Sequence, residues 1–202
     1  MSRLITNAIR STSATADAIT MDGSGNVTFP ANATCSGTAT GFGKILQVVS
    51  ATKTNSQSTS STNSYVDISG FSLSITPTSA SNKIFVQIAL QVGAADNSFL
   101  GFKVYRDSTA IGLNGGGDAS GSIGVVSFGY GFGASSESGR VRGIAWQHLD
   151  SPNSTSSLTY KIQFASLYSN QAVYINRPHT LDTGYHYSIL GSSSFTLMEV
   201  AA

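Results

Sequence analysis

Stretches in which apolar and polar residues alternate are the feature that most constrains this chain. Apolar residues fill every second position from Ile84 to Val92, and residues 71–75 and 158–165 show the same period of two. A β-strand turns successive side chains to opposite faces of a sheet, so this period predicts strands with at least one buried face. No stretch of 12 or more residues has the 3.6-residue period of a helix. The chain is therefore predicted to be all-β.

Shorter runs of the same kind predict the other strands of a folded body that spans residues 44–202. They lie at residues 45–49, 99–106, 110–113, 172–176 and 194–200. Turn-forming residues separate them, as at positions 107–109 before the second strand of a predicted hairpin. About eight short strands joined by turns rich in Ser, Gly and Asn are typical of sandwiches and jelly rolls. The predicted fold is an antiparallel, jelly-roll-like β-sandwich.

The first 43 residues differ from the body because their apolar side chains are few and widely spaced. A turn cluster at residues 22–26 separates two short β-prone stretches, residues 18–21 and 27–29. Ordering a backbone costs about 1–2 kcal/mol per residue, which so few apolar side chains cannot offset. We therefore expect an extended N-terminal β arm, residues 1–43, that becomes ordered against other chains. Its candidate anchoring residues are Leu4, Ile5, Ile9, Arg10, Ile19, Val27 and Phe29.

Charged residues make up only 10% of the chain, against about 25% in average soluble domains. The formal net charge is +1, which argues against a nucleic-acid-binding role because such proteins neutralise phosphates with a basic excess. The apolar runs are far shorter than the roughly 20 residues of a transmembrane helix, so no membrane insertion is expected. Such a scarcity of charge instead favours a chain whose surface is largely covered by copies of itself.

Residues 121–133 contain a candidate for that covered surface. Phe128, Tyr130 and Phe132 fall on one face of a predicted strand, and glycines alternate with them on the other. Aromatic side chains bury roughly 150–250 Å² each, so this face must be covered. The glycine face allows another backbone to approach closely. A neighbouring sheet or a neighbouring subunit could meet this segment, and we favour inter-subunit packing in a homotrimer.

No group of residues has the spacing that catalysis or metal binding requires. His179, Asp182 and His186 are of the types that bind zinc or iron, but their spacing matches no helical or hairpin metal site. We interpret them as loop residues, with an ion shared on an oligomer axis as the alternative. His148 and Asp150 lack the strand–turn–helix context of a hydrolase nucleophile. Neither an enzymatic activity nor a cofactor is expected.

Four tyrosines form a candidate contact surface for polysaccharide. Tyr168, Tyr174, Tyr185 and Tyr187 lie in or beside the late loops of the body, with packing at the strand ends as the alternative interpretation. Trp146, the only tryptophan, is predicted to lie in the core rather than to stack on a sugar.

Several segments resemble virion proteins. The arm segment AITMDGSGNVTFP, residues 18–30, is similar to the short β linkers of tailed-phage fibres and related virion proteins. The body resembles a β-sandwich domain of fibre-type structural proteins from marine and freshwater phages. The matching pieces are GKILQVV (43–49), ITPT (75–78), SNKIFV (81–86), YRDSTAI (105–111), LDSP (149–152), TYKI (159–162) and FTLMEV (195–200). Together these pieces span nearly the whole chain, in order.

The resemblance implies a homotrimeric structural component of a virion, without catalysis. The arm would attach each copy to other capsid or tail proteins, and the body would project as a short fibre or decoration whose loops contact host-surface glycans. Residues 1–10 lack the apolar stretch of a secretory signal, so synthesis in the host cytoplasm is expected. Two alternatives stay open. One is a soluble trimeric carbohydrate-binding module similar to the C1q and tumour-necrosis-factor jelly rolls; the other is a polysaccharide-degrading tailspike, which would require paired acidic residues.

Overall fold

The computed structural model describes residues 8–9, 19–24, 26–29, 44–113, 125–133, 135, 137–168, 170–184 and 188–202. Contacts between residues divide the chain into two compact units, Met1–Phe42 and Gly43–Ala202. The described residues form strands and turns without a helix, which confirms the all-β prediction. Among these residues there is accordingly no helix long and apolar enough to span a membrane.

Three short antiparallel strands make up the described part of the first unit. They are β1 (Ala8–Ile9), β2 (Ile19–Met21) and β3 (Val27–Thr28), and they pair in that order. Between β2 and β3, the Asp22 carboxylate accepts hydrogen bonds from the backbone N–H groups of Ser24 and Asn26, both at 2.9 Å. Such side-chain bonds replace the backbone pairing that a tight turn leaves open. The turn predicted at residues 22–26 is confirmed by these contacts.

The second unit contains two sheets, of which the first is named here the β7 sheet after its central strand. Its strands are β4 (Ile45–Lys53), β5 (Gln57–Thr59), β7 (Lys83–Ala94), β11 (Arg142–Asp150), β13 (Val173–Ile175) and β14 (Ser193–Val200). The strand order is β4-β14-β7-β13-β5, and β11 pairs with the opposite edge of β7. Because β14 and β13 pair with successive parts of one edge of β7, the centre of the sheet is four strands wide: β4, β14, β7 and β11.

The second sheet is named the β8 sheet. Its strands are β6 (Val66–Ile75), β8 (Phe99–Arg106), β9 (Thr109–Ile111), β10 (Phe128–Gly131) and β12 (Leu158–Ser166). The strand order is β10-β8-β12-β6, and β9 also pairs with β8. All of these pairings are antiparallel, and β8 has the bounds predicted from the sequence.

The two sheets enclose one hydrophobic core. The alternating apolar residues of β7 from Ile84 to Val92 are completely buried, as are Phe195 and Leu197 on β14. From the β8 sheet, Tyr160 on β12 and further aromatic and aliphatic side chains of β6, β8 and β12 fill the same core. The antiparallel β-sandwich predicted from the period of two is confirmed.

Several strands differ from the sequence-based expectation. Strand β6 begins at Val66 rather than at residue 71, and its pairing with β12 shifts register between Lys161 and Gln163. Gly70 lies in this irregular part with a φ of 77°, a conformation that side chains of L-residues rarely adopt. The bulge interrupts the alternation, which is why the sequence indicated only the second half of the strand. Strands β5 and β11 were not among the strands predicted for the body, and β4 continues to Lys53, beyond its predicted end at residue 49.

Candidate functional site

Of the predicted anchoring residues of the arm, Ile9, Ile19 and Val27 lie on short strands, and Phe29 directly follows one. In the structure, Ile9, Val27 and Phe29 are 45%, 51% and 47% exposed, and Ile19 is half-buried. Strands of two or three residues are too short to bury these side chains against one another. Leu4, Ile5 and Arg10 lie outside the described residues. The predicted role in virion attachment stays a prediction.

The aromatic segment predicted to pack between subunits makes several contacts within its own chain. Phe128 stacks on Phe102, with ring centroids 4.7 Å apart, and on Trp146 at 5.7 Å. Tyr130 meets the buried ring of Phe132 edge-on at 5.0 Å. Trp146 is partly buried and packs against the core, as predicted. Inter-subunit packing by this segment stays a prediction, and Phe128 and Tyr130 are its half-exposed members.

Contacts within the chain explain why the same segment contains glycines. A Cβ atom on Gly129 would lie 2.7 Å from the backbone oxygen of Leu100, and one on Gly131 would lie 3.0 Å from the ring of Phe99. Both neighbours belong to β8, with which β10 pairs. The close backbone approach expected of the glycine face thus occurs between two strands of one sheet.

The tyrosines predicted to contact glycans have different surroundings. Tyr168 is exposed and meets the exposed Phe99 edge-on at 6.2 Å. Tyr174 on β13 is half-buried, with the Arg177 guanidinium 4.7 Å from its ring centroid and the His179 ring at 5.6 Å. Tyr185 and Tyr187 lie outside the described residues. Tyr168 and Phe99 therefore form the exposed aromatic pair of the described surface that best matches the predicted type of contact.

The residues considered for metal binding or hydrolysis have other partners. His179 packs on Tyr174, and Asp182 Oδ1 accepts a hydrogen bond from the backbone of Gly184 at 2.9 Å. His186 lies outside the described residues. Within the described ranges, no three His, Cys, Asp or Glu side chains lie close enough to hold a metal ion. His148 stacks on Trp146 at 5.4 Å.

Asp150 joins the two sheets through a buried polar cluster. Arg106 Nη1 of β8 lies 2.6 Å from both carboxylate oxygens, and the hydroxyl of Tyr160 on β12 donates to Oδ2 at 2.6 Å. Burial, together with this hydrogen bond to the carboxylate, raises the pKa of Tyr160 far above its ordinary value. The tyrosine therefore stays protonated and acts as a hydrogen-bond donor. The cluster connects β11 to β8 and β12 across the sandwich.

Glu199 forms a second buried cluster, which the sequence analysis missed. Its carboxylate accepts hydrogen bonds from Gln47 Nε2 (2.6 Å), Asn82 Nδ2 (2.6 Å), the backbone N–H of Thr78 (2.7 Å) and the Thr78 hydroxyl (2.8 Å). Burial alone would raise the pKa of this carboxyl, but the hydrogen bonds outweigh it and hold the pKa below its ordinary value. The position of Glu199 in the strand could have indicated that it is buried, since it shares its face of β14 with Phe195 and Leu197. The cluster holds the β6–β7 turn against β4 and β14.

The outer face of the β7 sheet carries a continuous apolar row. Met198 on β14 lies directly between Val48 on β4 and Phe85 on β7, and Phe85 lies opposite Leu149 on β11. We name these four residues the apolar row. Val48 and Leu149, at its two ends, are 57% and 53% exposed. On one side the row adjoins Ile45 and Val200, which also pair with each other.

Uncharged residues dominate the remainder of this face. Successive cross-strand rows beside the apolar row contain Ser50, Thr196, Gln87 and Gln147, then Thr52, Ser194, Ala89 and Ala145. Counting the row of Ile45, Val200 and Lys83 as well, Lys83 is the one charged residue in the four rows. Its Nζ donates a hydrogen bond to the Ser151 hydroxyl at 2.8 Å.

The outer face of the β8 sheet has the opposite character. Lys161 Nζ lies 3.1 Å from an Asp67 carboxylate oxygen and 5.9 Å from the ring centroid of Tyr105. The Gln163 amide donates to Asp67 at 2.7 Å, and Lys103 Nζ lies 4.4 Å above the ring of Tyr65. The hydrogen bond from Gln163, with a smaller contribution from Lys161, holds the pKa of Asp67 below its ordinary value. Apart from the exposed ring of Phe99 at the start of β8, this is a face of charged and polar groups that suits contact with water.

Comparisons with known proteins do not assign the chain to a family. No protein-family model and no curated protein matches it. Among solved structures it is similar to VP2 of infectious bursal disease virus, both as a mutant forming T=1 particles (13% identity, TM-score 0.38) and as a subviral particle (14%, 0.36). A structure of the Gx strain of that virus gives 14% identity and a TM-score of 0.34.

These similarities cover 77–78% of this chain, which spans little more than a third of the length of the viral chains. At such TM-scores they carry no argument about function. The resemblance to tailed-phage fibre proteins stays a prediction.

Proposed function

We propose that the chain is a structural protein of a virus particle of the tailed-phage type. In this proposal three copies form a short fibre or decoration on the capsid or tail, and the arm, residues 1–43, attaches each copy to other virion proteins. The body, residues 44–202, projects outward and contributes no catalysis and no cofactor chemistry.

The exposed apolar residues of the arm carry this proposal. Ile9, Val27 and Phe29 lie on strands of two or three residues, or directly beside them, and each is about half exposed. Burying such side chains contributes about 1.5–3 kcal/mol each, and a unit of this size cannot bury them itself. A surface supplied by another protein would cover them. The body has its own core and does not need the arm for that purpose.

Deletion of residues 1–40 tests the role of the arm. The expected product is a folded, soluble body. It should no longer be found in the purified virus particles into which the full chain is incorporated. Its near-ultraviolet circular dichroism should match that of the full chain, because the core lies in the second unit. Incorporation of the truncated chain at the level of the full chain would contradict the proposal.

A finer test uses neighbouring residues of β3. Val27→Asp and Phe29→Asp should each reduce incorporation, because a charge replaces an apolar contact. Thr28→Asp adds the same charge at the exposed position between them and serves as the control. Equal incorporation of all three variants would contradict an apolar contact through this side of the strand.

Carbohydrate binding is a second candidate function, favoured by the exposed pair of Phe99 and Tyr168. Aromatic rings with an uncovered face or edge are suited to sugar contacts. Saturable binding of the body to a glycan array, lost in Tyr168→Ala but kept in Tyr174→Ala, would support this candidate. Absence of binding across the array would contradict it. Release of oligosaccharide from capsule or lipopolysaccharide would instead indicate a degrading enzyme.

A further inference from the structure

We propose that the outer face of the β7 sheet is the contact surface between copies of this chain, with the apolar row at its centre. The inference rests on the self-association contained in the proposed function and identifies the surface that produces it. The apolar row consists of Val48, Met198, Phe85 and Leu149.

The apolar row is continuous from one strand to the next. Its four side chains come from four adjacent strands and are in direct register, so they form one apolar band across the full width of the sheet. Single exposed apolar residues are ordinary on protein surfaces, whereas contiguous bands mark interaction sites. Ile45 and Val200 extend the band on one side.

The low charge of this face favours a second copy of the chain as the partner. A polyanion or an acidic surface would be met by lysines and arginines, but Lys83 is the one charged residue in the four rows of this face, and it lies in the outermost row. Depletion of charged residues is the compositional mark of the centre of protein interfaces. A second copy brings an equally uncharged face, so apart from Lys83 in the outermost row neither partner must desolvate a charge.

The size of the face also fits a contact between copies. Four strands about 4.8 Å apart and about seven residues long give a face of roughly 20 Å by 20 Å, or roughly 400 Å² in projection. The accessible area of a corrugated surface exceeds its projection, so two such faces bury on the order of 1,000 Å², which is the lower bound for a specific interface. The face is therefore large enough for a contact between copies.

The polar rows of this face are also suited to contact with a second copy of the chain. Gln87 lies opposite both Thr196 and Gln147, so amides and hydroxyls border the apolar row on its other side. These groups are both donors and acceptors, which lets two identical faces hydrogen-bond to each other. A contact with an apolar centre and a polar border is the usual organisation of interfaces.

The test compares two double variants of the full chain by sedimentation equilibrium. Val48→Glu with Leu149→Glu adds two charges to the apolar row at exposed positions. Ser72→Glu with Ser74→Glu, the control, adds the same two charges to exposed positions of the β8 sheet. The row variant should weaken self-association by about 100-fold or more, because the charges must be desolvated at the contact. The control should associate as the parent does.

Each outcome decides a specific point. Association of the row variant as tight as that of the parent would overturn the inference and leave a homotrimer formed through another surface. A parent dimer that dissociates in the row variant would support the inference and overturn the threefold assembly in the proposed function. A monomeric parent would overturn both. Equal dissociation of the control would overturn the inference, because charge rather than position would then be responsible.

Folding of the row variant is checked by thermal unfolding in dilute solution. If that variant is unfolded, Val48→Thr with Leu149→Thr replaces it, since Thr is β-branched and suits strand positions. The threonine variant should weaken association by about tenfold with an unchanged unfolding transition. Unchanged association in a folded threonine variant would overturn the inference.

Discussion

The two outer faces of the sandwich are built on the same alternation but carry different residues. On the β8 sheet, Asp67, Lys161 and Lys103 form an ion pair and cation–π contacts with their neighbours. On the β7 sheet, the corresponding positions carry the apolar row and uncharged polar residues. Both sheets bury their inner faces in one core. The inner residues therefore determine the sandwich, and the outward residues determine what each face contacts.

Charged residues on the β8 sheet contribute little to folding. An exposed ion pair such as Lys161 with Asp67 stabilises a protein by about 0–1 kcal/mol. Its larger effect is to keep this face in water, because a partner would have to desolvate the charges. The apolar row of the β7 sheet has no charged groups that a partner would have to desolvate. We therefore expect the difference between the two faces to affect association rather than stability.

The largest expected effect comes from the cluster that holds the two sheets together. Asp150→Ala leaves Arg106 without its carboxylate and should reduce the free energy of unfolding by about 3–5 kcal/mol, measured in urea. The matched variant on the β8 outer face, Asp67→Ala, should reduce it by less than about 1 kcal/mol. Equal losses would contradict the assignment of Asp150 to the interior and Asp67 to the surface.

A smaller effect, dependent on pH, is expected at Glu199. Folding holds the pKa of this carboxyl below its ordinary value of 4.5, so the ionised form stabilises the fold. That contribution is complete above the unfolded-state pKa and is lost as the pH falls through the lower, folded-state pKa. Glu199→Gln should cost about 1–3 kcal/mol at neutral pH, and the difference should shrink in acid. A difference that does not change between neutral and acidic pH would contradict this account.

The smallest effects separate the two faces by ionic strength. Between about 0.1 M and about 1 M NaCl, the screening length falls from about 10 Å to about 3 Å. The coupling of Lys161 with Asp67, measured by a double-mutant cycle, should fall from a few tenths of a kcal/mol towards zero. Self-association of the parent should stay unchanged or tighten, because apolar burial is not screened. Marked weakening of association by salt would show that ionic contacts hold the copies together.

The fold was predictable where alternation is strong. Strand β7 alternates from Ile84 to Val92 because one of its faces is completely buried, and β8 was bounded correctly at both ends. Strand β11 was missed because its contrast is weak: Ala145 and Leu149 face outward, while His148 shares the inner face. The exposed Leu149 that weakens the pattern is also a member of the apolar row. A strand with apolar residues on both faces does not show the alternation that identifies a half-buried strand.

The candidate surfaces were predictable only in part. The sequence indicated that the arm could not close its own core, and in the described part of the arm Ile9, Val27 and Phe29 are exposed. It could not indicate the apolar row, because Val48, Met198, Phe85 and Leu149 lie far apart in the sequence and meet only through strand register. The same holds for Glu199, whose partners come from β4 and from the β6–β7 turn, both far from it in the sequence. Long-range pairing is not visible in local periodicity.

Hydroxyl-radical footprinting of the full chain at low and high concentration tests most directly which face is covered. Met198 and Leu149 report on the outer face of the β7 sheet, and Tyr105 reports on the outer face of the β8 sheet. As the chain is concentrated through its association range, the oxidation rates of Met198 and Leu149 should fall while that of Tyr105 stays constant. Constant rates at Met198 and Leu149, or protection of Tyr105 instead, would contradict contact between copies through the β7 sheet.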